Sequence, residues 1–455
     1  MSELASYRQI LRNLQPVGIA GRVRSIRGLT VSVAEFPAPV GAACRILRAG
    51  RAVEARVVGF AGEETLVTPL GDVTGTCRGD RVVCSVHEQT VGVGPAMLGR
   101  VLDGFGRPAD GGGEIAIDRR MPIWPEPMGP LRPRRITEPL PTGVRAIDAM
   151  LAVGRGQRMS ILSGSGVGKS ILLGMIARQS SADVNVIALV GERGREAREF
   201  LDKDLGPDGL RRSVVVVTAG DEPPPLRVQG GAVATAIAEY FRDQGRHVLL
   251  LMDSLTRLAM AQRLIGLAAG EPPATKGYPP SVFNLLPRLL ERAGRSERGS
   301  ITAFYSVLVE GDDLSDPIGD AVRAITDGHI WLSRALAAGG HYPAVDVLQS
   351  VSRAAMDVAG GDHLAAARDV RAILAAHRDI EDMIQVGAYR AGASAEHDLA
   401  VRLMPAVRRL LAQRIDEPAD FQATRAALLE LQGRIRSGRG GATRRVAPSG
   451  GGGAA

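Results

Sequence analysis

Eight consecutive residues, Ser163-Gly164-Ser165-Gly166-Val167-Gly168-Lys169-Ser170, join a glycine-rich run to a lysine and a hydroxyl. They follow the strand-like run RMSIL and open KSILLGMIAR, a helix-forming stretch. Strand, glycine loop and helix in that order let backbone N–H groups turn inward around a phosphate, and the helix N-terminus adds a positive dipole. Lys169 is then placed to reach the β- and γ-oxygens of a nucleotide, and the Ser170 hydroxyl to ligate Mg²⁺. The strict pattern begins with glycine. Here Ser163 takes that place, while three later glycines and Gly-Lys-Ser are kept.

Two carboxylates extend this chemistry. The run Val248 to Met252 is wholly apolar and ends in Asp253, 84 residues beyond Lys169. A buried strand ending this way delivers a carboxylate to the sheet edge, where it can hold a magnesium shell. The run Asn185 to Val190 ends in Gly191-Glu192-Arg193-Gly194-Arg195-Glu196. A carboxylate there can polarise the attacking water; a solvated charged turn is the other reading of the same residues. Lysine is scarce. Of 56 basic residues only Lys169, Lys203 and Lys276 are lysines, so a retained lysine can mark a need for a compact ammonium.

The elements that must carry these groups follow from periodicity. Residues 1–17 hold a short amphipathic helix with Leu4, Tyr7, Leu11 and Leu14 at helical spacing, either packed on its own domain or docking a partner. Residues 18–88 are short β-branched alternating runs between glycine turns, which predicts a small closed barrel. Residues 89–358 begin with a Gly/Pro-rich connector. They then alternate strand and helix signals, with strands expected at 159–162, 186–190, 213–218, 248–252 and 301–307, as in a mostly parallel sheet covered by helices. Residues 359–436 carry Ala/Leu/Arg helices, and 437–455 form a Gly-rich tail expected to be disordered. The fold class expected is therefore α/β, with a small N-terminal barrel and a C-terminal helical domain.

Composition narrows the classes. No apolar run approaches the ~18 residues of a membrane span, and the first residues lack the apolar core of a signal peptide. Cys44, Cys77 and Cys84 have no metal-binding or redox-motif spacing and fit thiols in a reducing compartment. The net charge of +7 is spread along the chain rather than clustered. Phe36 and Phe60 are the only aromatics in the barrel stretch, which argues against base stacking there and so against specific nucleic-acid binding.

GSGVGKS, the GER turn, LLLMDSLTR, GEPPATKGYPPSVFNLLPRLLERAG, VLVEGDDLSDP and GHYPAVDVLQSVSR together resemble the flagellum-specific and virulence type III export ATPases, relatives of the catalytic subunits of rotary ATPases. The likeness runs from about Gly18 to about Ile415. EPPATKGYPPSVF favours the export branch, and GHYPAVD with EGDD leans to its flagellar member. The resemblance implies a RecA-like core, a homohexamer, ATP and Mg²⁺, and export of proteins at the cytoplasmic face of the inner membrane. It implies that Gly164 to Ser170 bind the phosphates, Glu192 is the catalytic carboxylate and Arg193 the adjoining phosphate-site arginine. It further implies that Asp253 and Ser170 hold magnesium, Tyr342 stacks on adenine, Arg353 is the finger lent to a neighbouring subunit and Arg257 lines the site. The loop around Lys276 is expected to face the central pore, with Asp312 and Asp313 near a central stalk-like partner. The first helix resembles the docking segment for a regulatory, stator-like protein. The export gate, export substrates and their chaperones complete the implied partners.

Three other readings compete. A rotary ATPase-type subunit shares the phosphate site but differs around EPPATKGYPPSVF. A hexameric RNA or DNA translocase would want a basic, aromatic-bearing barrel. A non-catalytic nucleotide-binding subunit would not need Glu192. No guanine-reading NKxD segment and no acceptor-substrate motif occur, which disfavours a GTPase or a kinase.

Overall fold

The computed structural model describes residues 18–48, 50–86, 89–126, 129, 135–309, 311, 313 and 315–445. The expected docking helix at 1–17 and the stretch 446–455 lie outside the described residues.

Six antiparallel strands come first: β1 (Ala20–Arg27), β2 (Thr30–Ala34), β3 (Ala43–Arg48), β4 (Arg51–Ala61), β5 (Glu64–Pro69) and β6 (Arg81–Val86). They close into a barrel in the order β1-β2-β5-β4-β3-β6. Alternate residues fill it: Val31 and Val33 from β2, Cys44 and Ile46 from β3, Val53, Ala55 and Val57 from β4. Gly21 is required where strands close together, since a Cβ there would lie 2.5 Å from the Ala34 carbonyl oxygen.

The connector then forms a two-stranded ribbon, β7 (Thr90–Val93) with β9 (Arg119–Pro122), and sends β8 (Val101–Leu102) to the edge of the main sheet. That sheet is built from β10 (Arg158–Ser163), β11 (Val184–Glu192), β12 (Ser213–Ala219), β13 (His247–Asp253), β14 (Gly294–Arg295), β15 (Ser300–Leu308), β16 (Gly328–Leu332) and β17 (Val351–Ser352). Its order is β17-β16-β10-β15-β13-β11-β12-β8, with β14 beside β15. Pairings are parallel except β16–β17 and β14–β15. β11 is buried at all nine positions, which explains why it reads as one apolar run rather than an alternating one. The five runs read as strands in this block fall within β10, β11, β12, β13 and β15. β16 was missed: its sequence, GHIWL, is short, begins with glycine and is flanked by Asp327 and Ser333.

Helices cover both faces. One face packs the long helix Pro224–Asp243, and the opposite face packs Lys169–Gln179. The same core continues into three C-terminal helices, Gly361–Asp379, Ala395–Leu411 and Phe421–Arg445.

One expectation is corrected here. The chain does not lose order at Ser437, because the last helix runs on to Arg445. Gly438 lies against Leu399, where a Cβ would come within 2.5 Å of that side chain, and Arg439 pairs with Asp369 at 3.3 Å. Tertiary packing extends the helix through residues whose composition alone reads as a tail.

Candidate nucleotide site

β10 delivers the glycine loop to the C-terminal edge of the sheet, the edge where open α/β sheets bind ligands. The chain leaves β10 and returns at β11, three positions further along, because β15 and β13 lie between them. The ends of β13 and β11 therefore flank the loop with Asp253 and Glu192. Gly166 and Gly168 hold positive φ angles of 79° and 92°, which suit glycine. The helix begins at Lys169.

Lys169 Nζ donates to Asp253 Oδ1 at 2.5 Å, and both side chains are largely buried. The Ser306 hydroxyl donates to the same oxygen at 2.7 Å. Arg257, one turn into the helix Leu255–Ala268, donates from Nη1 to the Gly191 carbonyl at 2.7 Å. Its Nη2 lies 3.1 Å from Glu192 Oε2 and 3.6 Å from Glu196 Oε2. Burial pushes the Glu192 carboxyl up to about 7; the hydrogen bond it shares with Glu196 and the charge of Asp253 push the same way, against Arg257 and Lys169. Glu196 is held below the ordinary range, first by that hydrogen bond. Glu192 and Glu196 thus titrate as a pair beside the loop, with the Arg257 guanidinium facing both.

These groups line a cavity of about 430 Å³ with Gly164, Ser165, Gly166, Gly168, Lys169 and Ser170 on one wall, and Glu192, Asp253 and Arg257 opposite. Tyr342 stands at its end. A Cβ on Gly168 would lie 3.7 Å from the Tyr342 ring, an ordinary contact, so the ring stands against the loop while the positive φ, not the space, favours glycine there. Beyond Tyr342 opens a second, mostly apolar cavity of about 630 Å³. Ile171, Met175 and Pro343 form one side, and residues 412–417 of the C-terminal part form the other. The two cavities share Gly168, Ile171 and Tyr342. Together they make a polar end sized for phosphates joined to an apolar end sized for a base.

Comparison with known proteins agrees with this geometry. The family model for the ATP synthase alpha/beta family, nucleotide-binding domain, matches residues 143–352, and that for the T3SS EscN ATPase C-terminal domain matches 359–430. The flagellum-specific ATP synthase of Treponema pallidum is 53% identical over 432 residues, covering 94% of this chain and 97% of that protein. The chain belongs to the flagellar and type III secretion ATPase family. The assembled ATPase EscN of the enteropathogenic E. coli type III secretion system has the same fold, with a TM-score of 0.85 at 41% identity, covering 90% of this chain and 100% of EscN. EscN in complex with its central stalk EscO gives 0.84 at 40% identity, with the same coverage.

Within this family's fold the expected residues fall into three groups. Gly164, Ser165, Gly166, Gly168, Lys169, Ser170, Glu192, Asp253 and Tyr342 meet in one place. Val167 is buried in the core below the loop and offers only its backbone. Arg193 and Arg353 do not line the cavity. Arg193 caps the helix Gly194–Glu199 with its side chain 81% exposed and 3.7 Å from Glu196. Arg353 follows the edge strand β17, exposed, with its N–H on the Asp327 carbonyl and its guanidinium 3.5 Å from the Arg323 carbonyl. Lys276 pairs with Asp313 at 3.1 Å; Asp312 lies outside the described residues.

Sequence reading missed the far wall of the base cavity. Gln413 receives the Arg145 N–H at 2.8 Å and donates to the Gly143 and Glu417 carbonyls. Its own N–H donates to the Tyr342 carbonyl at 2.9 Å. Arg145 also pairs with Glu417. The only signal was a loop, QRIDEPAD, between two helices. Glu196 was read in the turn after Glu192 as the alternative carboxylate there, and Ser306, inside an apolar strand, gave no signal.

Proposed function

We propose that this chain is the ATP-hydrolysing motor of a flagellar or type III protein-export apparatus, acting in a homohexameric ring and coupling turnover to delivery or unfolding of export substrates. The observation that carries the reading is the convergence of Lys169, Asp253, Glu192 and Arg257 on one cavity that continues past Tyr342 into an apolar one. The phosphates of ATP lie on the loop, and adenine lies against Tyr342. Lys169 leaves Asp253 for the β- and γ-oxygens. Glu192 takes a proton from the attacking water, with its acidity matched to neutral pH by burial. Arg257 holds Glu192 in place and faces the developing charge.

The donor set suits Mg²⁺. Asp253 and Ser170 supply hard oxygen ligands, and among the described residues no cluster of three or more His, Cys, Asp or Glu could build an all-protein cage. Magnesium so held relies on substrate phosphates for the rest of its shell, and it neutralises their charge.

Arg353 serves the neighbouring subunit's site, since it follows the edge strand β17, separated by four strands from β11 and Glu192, and does not line the phosphate cavity of its own chain. The central stalk-like partner is proposed from the EscN–EscO complex. The regulatory partner of the first helix, the export gate and the seat at the inner membrane are proposed from the family. Among the described residues no helix is long and apolar enough to cross a membrane.

The test is complementation. Arg353→Ala and Lys169→Ala proteins should each bind together into rings and each be inactive. Mixed rings after subunit exchange should recover turnover, because some boundaries then hold an intact loop and an intact finger. A shared arginine of this kind is worth ~10³–10⁵ in rate in GTPases. Verified mixed rings without recovery, or an active Arg353→Ala protein, would remove the shared site.

A further inference from the structure

The barrel holds two cysteines directly opposite each other. Cys44 on β3 pairs in register with Cys84 on β6. Both side chains point inward: Cys44 shares its face with buried Ile46, and Cys84 shares its face with buried Val82. Cys44 is fully buried in the barrel core, while Cys84 is half-buried and packs against that core.

The hydrogen bonding decides how close the two residues stand. The Cys84 N–H donates at 2.9 Å to the Ile19 carbonyl, on the β1 side of β6. In an antiparallel ladder a residue's N–H and C=O point to the same side. The Cys84 backbone is thus turned toward β1, and Cys44 and Cys84 face each other as the narrow type of pair, beside the register shift between Ala43 and Cys44. Such pairs have the shorter Cα separation, about 4.5 Å, with side chains closer together. Disulfides span Cα separations of about 4.4–6.8 Å. The separation expected for such a pair falls within that range.

We propose that Cys44 and Cys84 are a thiol–disulfide exchange site, at which a low-molecular-weight disulfide such as oxidised glutathione staples β3 to β6 across the barrel. The two thiols have different parts. Burial pushes Cys44 up to about 12, with the nearby Cys84 and Glu54 adding to it, so Cys44 stays protonated and inert toward solvent. Cys84 is the thiol a small disulfide reaches first. Its thiolate attacks one sulfur of the small disulfide, forming a mixed disulfide and expelling one small thiolate, which takes a proton. Cys44 then gives up its proton and attacks the Cys84 sulfur, expelling the second small thiol. Two protein thiols and one small disulfide become one protein disulfide and two small thiols; two electrons pass to the small disulfide. In a reducing compartment the pair rests as thiols, and the poise of the small-thiol pool sets its state.

Cys77 is the internal contrast. It is exposed, stands in the turn before β6, and has no cysteine opposite it. It should take a glutathione adduct and stop there.

The test uses the full chain and its Cys77→Ser variant in buffers of rising oxidised-to-reduced glutathione ratio. The products are trapped by acid, alkylated, digested and mapped by mass. The expected result is joint loss of the Cys44 and Cys84 thiols, a peptide joining them, reversal by dithiothreitol, and slowed amide exchange in β3 and β6. Cys44→Ala should instead accumulate a mixed disulfide on Cys84. If either variant does not fold, mapping of the unaltered chain still separates a Cys77 adduct from a Cys44–Cys84 peptide. Thiols at 44 and 84 that both stay alkylatable after Cys77 is fully consumed would overturn the proposal. So would a glutathione adduct on Cys84 that persists with Cys44 present.

Discussion

The two ends of the nucleotide site are built on different plans. At the phosphate end the glycine loop and the two carboxylates sit on strand ends or the turns that follow them, inside one continuous α/β block. The glycine loop follows β10, Glu192 ends β11 and Asp253 ends β13. At the base end, Tyr342 and Pro343 come from that block, but residues 412–417 come from between two C-terminal helices. One end is rigid by burial in the sheet. The other is a seam between two parts of the chain, held by Gln413 and by the Arg145–Glu417 pair. On the function proposed above, chemistry is concentrated where the backbone is fixed, and the base is held at a seam that the C-terminal part helps to line.

Breaking the phosphate end should have the largest effect. Lys169→Ala should lower ATP turnover by about 10³ or more, since losing one preorganised donor at a charged transition state typically costs ~10²–10³ and this one carries full charge. It also leaves the buried Asp253 carboxylate with Ser306 as its remaining hydrogen-bond donor. Lys169→Arg should fail as well, because a planar fork does not fit where a compact ammonium meets Asp253 at 2.5 Å. Steady-state phosphate release decides it. Near-normal turnover in the arginine variant would mean that the loop lysine is not a phosphate ligand.

The base end should respond in binding rather than in rate. Tyr342→Ala removes the ring that separates the two cavities. Stacking of a base on an aromatic is worth ~1–3 kcal/mol, so KM for ATP should rise about tenfold or more while kcat changes little. Tyr342→Phe should stay close to the unaltered protein, since the hydroxyl is not needed to stack. A fall in kcat without a change in KM would show that Tyr342 acts on the phosphate end through Gly168, and the contrast between the two ends would fail.

The same contrast explains what could be read in advance. The glycine loop, Asp253 and Glu192 were legible because each is fixed by a local rule: a special backbone, a run of buried apolar residues, a charge at its end. The barrel was legible from alternation in short strands, as in Val31 and Val33. The far wall of the base cavity was not, because Gln413 and Glu417 matter through Tyr342 and through partners more than 230 residues away, such as Gly143 and Gln179. No window along the chain carries that information. The continuation of the last helix past Ser437 was hidden for the same reason, since Gly438 is useful there only against Leu399.

The smallest effect expected is a displacement of the pH profile, and it should belong to the phosphate end alone. Glu192 must be ionised to accept a proton from water. With its carboxyl raised to about 7, kcat/KM should climb as pH rises through neutrality and fall away below it. Glu196 helps to set that midpoint, since its carboxyl hydrogen-bonds Glu192 and adds a second negative charge beside it. In Glu196→Gln the charge is gone, and the amide N–H can donate to an ionised Glu192. Both changes favour the charged form, so the acid limb should move to lower pH. A displacement of one pH unit makes the variant about five- to sixfold more active than the unaltered protein at pH 6, each relative to its own plateau. Arg257, Lys169 and Asp253 also face Glu192 and stay in place, so the displacement isolates Glu196. The measurement is kcat/KM from pH 5.5 to 8.5 at saturating magnesium, with Tyr342→Ala as the companion. The tyrosine variant should keep the unaltered midpoint despite its higher KM. An acid limb that stays put in Glu196→Gln would mean that the limb reports another group. An equal displacement in Tyr342→Ala would mean that the base end also sets the acidity of Glu192.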